Sequence, residues 1–133
     1  MIAAKSHVSD VYRRQADFCR ALSHPVRLSI LEVLRDGEQC VCHMEATLGL
    51  RQAGISQQLM ILRRAGVVDF RRQGPNIYSR VVKPDIFSVL DTINATVGGS
   101  RTRVAHVHAK GDCPCPKCHG MNTIPLDRAV VRG

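Results

Sequence analysis

The chain has 133 residues, 44% of them hydrophobic and 23% charged, a size that fits one compact domain and argues against a two-domain enzyme. Its longest run without Asp, Glu, Lys or Arg spans only Gln52 to Leu62, far short of the ~20 apolar residues that cross a bilayer, and the N-terminal residues lack the apolar core of a secretory signal, so a cytoplasmic location is expected. The net charge of +8 is uneven: residues 1–50 sum to zero, residues 51–82 contribute +5, residues 83–97 give −1 and the remainder +4, which places a candidate phosphate-binding surface inside the folded region.

In chain order, Val11, Phe18 and Leu22 mark one stripe of a first helix over about residues 8–22. Pro25 suits the first position of a second helix, with His24 or Ser23 as its cap, and Gly37 is a natural stop after Leu34. The run from Val26 to Leu34 is so apolar that burial on most sides is expected. A short helix over about 43–48 follows, and Gly49-Leu50 turns into a longer one that ends before Gly66; together they form a helix-turn-helix candidate. Ile55, Leu59 and Leu62 would bury one stripe of the longer helix, with Gln52, Ser56, Gln57, Gln58 and Arg63 opposite. Two β-rich runs, 67–73 and 76–82, flank Gly74-Pro75 and read as a hairpin whose arms carry Arg71, Arg72 and Arg80. Lys83-Pro84-Asp85 opens a last helix in which Ile86, Leu90, Ile93 and Val97 share a stripe, either core or the face of a second copy, and Gly98-Gly99 ends it. The basic tail beyond has too little apolar periodicity to promise a fold of its own.

The second helix of a helix-turn-helix enters the major groove, and Gln52, Ser56, Gln57 and Gln58 are side chains of the types that bond base edges. Arg63, Arg64 and the hairpin residues Arg71, Arg72 and Arg80 suit phosphates instead. A polar helix face alone is ordinary surface; its conjunction with a turn and an arginine-bearing hairpin in one +5 segment is what favours DNA.

The segments LSHPVRLSIL, ISQQLMILRRAGVV and EQCVCHM resemble the ArsR/SmtB family of winged-helix repressors, over about residues 12–97. The resemblance implies a mainly α fold of about five helices with a small β-hairpin wing, a homodimer joined through first and last helices, and operator DNA released by a metal or metalloid. Arg51 stands where the family usually has a serine cap, and Ala53-Gly54 where Pro-Thr is common. The expected organisation is a DNA-binding and dimerisation domain over 1–99 and a cysteine-containing tail over 100–133.

Six cysteines in a reducing compartment are read as ligands, reactive thiols or small packing residues. Cys40 and Cys42 are two apart, so on an intact helix they point about 200° from one another, and sharing one ion requires local unwinding. The resemblance implies that a Cys-Val-Cys at this place senses thiophilic ions, arsenite foremost, or cadmium or lead. Arsenic sensors of the best-known type add a cysteine three residues on, where this chain has Glu45. Cys113, Cys115 and Cys118 of the tail are the candidates to complete the site, or with His119 to form a separate zinc site. Cys19 is expected to be a buried apolar residue; His7, His24 and His43 surface or capping residues; His106 and His108 minor candidates for ligation. The last helix offers Asp85 and Asp91 but no histidine, which argues against zinc as the main inducer. The reading is thus a non-enzymatic repressor without organic cofactor. Its alternatives are a thiol redox-sensing repressor, a thiol enzyme such as an arsenate reductase, disfavoured because no Cys-His pair stands in a nucleophile context and the Cys40–Cys42 pair lacks C-x-x-C spacing, and a zinc-stabilised interaction module without DNA.

Overall fold

A computed structural model describes residues 7–100, with the side chains of His7 and Val8 excepted. Their elements run α1 (His7–Leu22), α2 (Pro25–Leu34), β1 (Gln39–Cys40), α3 (Val41–Leu48), α4 (Gln52–Arg64), β2 (Val68–Gln73), β3 (Asn76–Val81) and α5 (Ile86–Thr96). The tail expected from residue 100 onward, with Cys113, Cys115, Cys118, His106, His108 and His119, lies outside the described residues except for Ser100.

Local chemistry sets the boundaries. His24 is extended (φ −159°, ψ 129°) and its Nδ1 accepts from the Val26 N–H at 3.1 Å, while Pro25 occupies the first helical position, where no amide hydrogen is needed. Gly49 takes φ 65° to end α3, a left-handed conformation that costs glycine nothing. Gly74, at φ 61°, and Pro75 form the two-residue connection of the β2–β3 hairpin, whose register pairs Gln73 with Asn76 and Val68 with Val81.

Helices α2, α3 and α4 meet over one core: Ile30, Leu31, Val33, Leu34, Met44, Ile55, Leu59 and Leu62 are buried, with Val67 and Val68 closing it from the hairpin. Each such leucine or isoleucine is worth about 2–5 kcal/mol against truncation to alanine. Helix α5 buries Ile86 and Leu90, then leaves the core, so that Ile93 is 41% and Val97 74% exposed. Its register is fixed by Arg35, just past α2, whose Nη2 donates to Glu32 Oε1 at 2.8 Å and to Asp91 Oδ1 at 2.9 Å while the guanidinium lies 4.9 Å from the Phe87 ring centre. The Glu32 bond first, and the Asp91 bond after it, hold the Arg35 proton even more tightly than usual against an opposing cost of burial.

One expectation is extended and two are corrected. The hairpin belongs to a three-stranded antiparallel sheet of order β1-β3-β2, because Gln39 and Cys40 pair with Ser79 and Tyr78. Cys19 is exposed in the single chain, since it lies about 100° around α1 from the half-buried Phe18. His43 is fully buried: α3 begins at Val41, two residues earlier than expected, so His43 is not its capping residue but lies within its first turn beside the buried Met44.

Candidate nucleic-acid interface and thiol site

Three residues, Gly49, Leu50 and Arg51, separate α3 from α4, the short connection of a helix-turn-helix. Arg51 is its N-cap residue in an extended conformation, and its side chain makes no capping bond to the first turn. With Ile55 in the core, Gln57 lies about 200° around the helix from it. Gln52, Ser56 and Gln57 are all exposed, as expected of groove-facing residues. Gln58 differs. Three residues past Ile55 brings it back to about 60° from the core side; it is half-buried, and its Oε1 accepts from Arg27 Nη1 at 2.7 Å.

The arginines divide in the same way. Arg72 and Arg80 are exposed on the hairpin. Arg63 is held at the junction of α4 and β2, 4.6 Å from the Phe70 ring centre and 3.9 Å from Asp69 Oδ1. Arg71 is bound at both ends of a carboxylate: Nε to Glu38 Oε2 at 2.9 Å and Nη2 to Glu38 Oε1 at 2.5 Å, with the guanidinium 4.8 Å from the Tyr78 ring centre. The Glu38 hydrogen bond raises its pKa further, so Arg71 stays charged but its charge is already matched.

Cys40 ends β1 and is at once the N-cap residue of α3 (φ −82°, ψ 161°), while Cys42 sits in the first turn of α3. The two are therefore not related by an unbroken helical turn; the chain already changes conformation between them. Cys40 is buried and Cys42 half-buried. Residues directly opposed in a sheet share a face, so Cys40, Tyr78 and Arg71 form one row across the three strands, and Gln39, Ser79 and Phe70 the row on the other face. The thiol position is thus built into the sheet of the wing. Two soft donors at a strand-to-helix junction suit a thiophilic ion in chemistry but not in number, and among the described residues no group of three or more His, Cys, Asp or Glu side chains gathers to hold a metal. On α5, Asp91 is occupied by Arg35.

Residues 24–69 match the arsR family of bacterial regulatory proteins, a span that runs from the cap of α2 into β2. An uncharacterised helix-turn-helix transcriptional regulator of Mycobacterium tuberculosis, Rv0081, is 40% identical over 81 residues, 60% of this chain and 71% of that one. The chain belongs to the ArsR family. The biofilm growth-associated repressor of Agrobacterium fabrum is 38% identical over 76 residues, 57% of this chain and 65% of its own. Among solved structures, Rv0081 superimposes with TM-score 0.61 over 66% of this chain and 89% of its own at 36% identity, and the transcriptional repressor BigR of Xylella fastidiosa with TM-score 0.59 over 68% and 96% at 31% identity. This ArsR-family chain is a winged helix-turn-helix transcriptional regulator of the ArsR/SmtB repressor type, not an enzyme. No helix among its described residues is long and apolar enough to cross a membrane.

Sequence reasoning passed over Arg27 and Glu38. Arg27 and Glu38 lie within segments that carry the family resemblance but have no role of their own there; their partners Gln58 and Arg71 lie 31 and 33 residues away. The one available signal for Arg27 was a charge in a run otherwise fit for complete burial, which requires a partner.

Proposed function

We propose that the protein is a cytoplasmic repressor that binds a two-fold symmetric operator as a homodimer and leaves it when a thiophilic ion, arsenite foremost or else cadmium or lead, binds the Cys40 and Cys42 thiolates. Gln52, Ser56 and Gln57 read bases from the exposed face of α4, and Arg72 and Arg80 contact phosphates from the wing. Dimerisation is supported by the apolar side chains that the single chain leaves in water on its first and last helices: Val11 and Tyr12 on α1, Val89 and Ile93 on α5, and Val97 at its end. Cys113, Cys115 and Cys118 supply the remaining ligands.

The observation that carries the sensing reading is the place of Cys40, at once a rung of the wing sheet and the cap of the helix that leads into the turn before α4. An ion that draws Cys40 and Cys42 together pulls on both. Release then follows only if the ion is held more tightly in the non-binding arrangement than in the DNA-bound one. The test is a titration of arsenite, cadmium and lead against the reduced full-length chain on a fluorescent operator, with release followed by anisotropy. Dissociation at stoichiometric ion supports the reading. Dissociation only on oxidation, reversed by reductant, would replace it with thiol redox sensing.

A further inference from the structure

Arg27 is 9% exposed, and its guanidinium joins three elements. Nε donates to the Ala21 carbonyl at 2.6 Å and Nη2 to the Arg20 carbonyl at 3.1 Å, two acceptors in the last turn of α1, the second of which also accepts from the Ser23 N–H at 3.1 Å. This end of the helix carries partial negative charge, which helps to compensate the buried cation. Nη1 then reaches across to Gln58 on α4. A guanidinium has donors and no acceptor, so the carboxamide must turn its oxygen toward Arg27. The pair of acceptor and donor by which a glutamine recognises adenine is thereby broken up.

We infer that Gln58 is not a base reader but, with Arg27, a joint that fixes the recognition helix to the end of α1 and so sets the distance between the two half-sites. The inference rests on the DNA-binding dimer proposed above, in which α1 belongs to the pairing face and α4 to the reading face. In a two-fold regulator the separation of the recognition helices fixes the half-site spacing. A charge-assisted, partly buried hydrogen bond between the two faces is a stiff element at the place where such stiffness determines register. Arg27 is a positioning residue that acts through Gln58, without touching DNA.

The test uses the full chain and a randomised duplex library, from which the wild type selects its site. Duplexes with that site's half-sites moved apart or together by one base pair are then bound by the wild type, Gln58→Ala and Gln58→Glu. The wild type should prefer its own spacing by about tenfold or more, the scale of losing one good base contact. Gln58→Ala should keep the same bases in each half-site but reduce that preference below about threefold, because half of the joint is gone. Gln58→Glu, whose carboxylate still accepts from Nη1, should restore it. Arg27→Met should behave as Gln58→Ala; since Arg27 is buried, its folding is checked by thermal melting, and the two Gln58 variants decide if it fails. A changed base preference in Gln58→Ala with spacing intact would make Gln58 a reader and overturn the inference, as would a variant indistinguishable from wild type in both respects. If the wild type enriches no two-fold site, the DNA-binding dimer itself fails and takes the joint with it, a result separate from any of the others.

Discussion

Gln57 and Gln58 are adjacent in sequence and opposite in circumstance, one exposed and the other half-buried against Arg27. Gln57→Ala should therefore cost about 1–3 kcal/mol on the selected site and far less on random DNA, measured as the ratio of the two affinities. Equal losses on both would show that Gln57 does not read bases. In the core, Leu59→Ala should lower unfolding stability by about 2–5 kcal/mol in denaturant melts, because Leu59 is 2% exposed within the shared hydrophobic core. Both expectations come from a 3.6-residue period that was legible in the sequence, as was the His24-Pro25 start of α2. Cys19 and His43 were not legible, since a stripe says which direction is inward only when enough apolar positions define it. Phe18 and Leu22 define α1's inner side loosely, and the start of α3 was displaced by two residues.

At the scale of elements, the hairpin around Gly74-Pro75 could be read from composition, whereas β1 could not. A two-residue strand has no periodicity, and its partners Ser79 and Tyr78 lie almost forty residues on. That short strand changes the account of the wing, because it brings Glu38 to Arg71. Arg72→Ala and Arg80→Ala should each weaken binding to all sequences and reduce the salt slope by about one. Arg71→Ala should have a smaller effect on the slope, since Glu38 already offsets its charge. Glu38→Gln tests the same pair from the other side: it should raise affinity for random DNA and steepen the salt dependence by releasing a cation toward phosphate. Affinity unchanged by Glu38→Gln would mean that Arg71 does not face the DNA backbone.

For the whole molecule, exposed apolar side chains on α1 and α5 mark the proposed pairing face, α4 and the wing carry the proposed reading face, and the Cys40–Cys42 segment lies where the wing sheet meets the helix-turn-helix. Ile93→Glu should convert dimers to monomers in sedimentation and abolish two-fold operator binding, because a charge would then stand on the apolar side of α5. In the proposed switch, two thiolates at this junction carry the signal from ion to DNA. This role is tested most directly by replacing Cys40 and Cys42 together with serine and titrating arsenite and cadmium against the operator complex. Serine keeps the side-chain size and loses the soft thiolate. The double variant should keep wild-type operator affinity without ion and show no release at ion concentrations that free the wild type; normal ion-driven release from it would mean that Cys40 and Cys42 do not carry the signal.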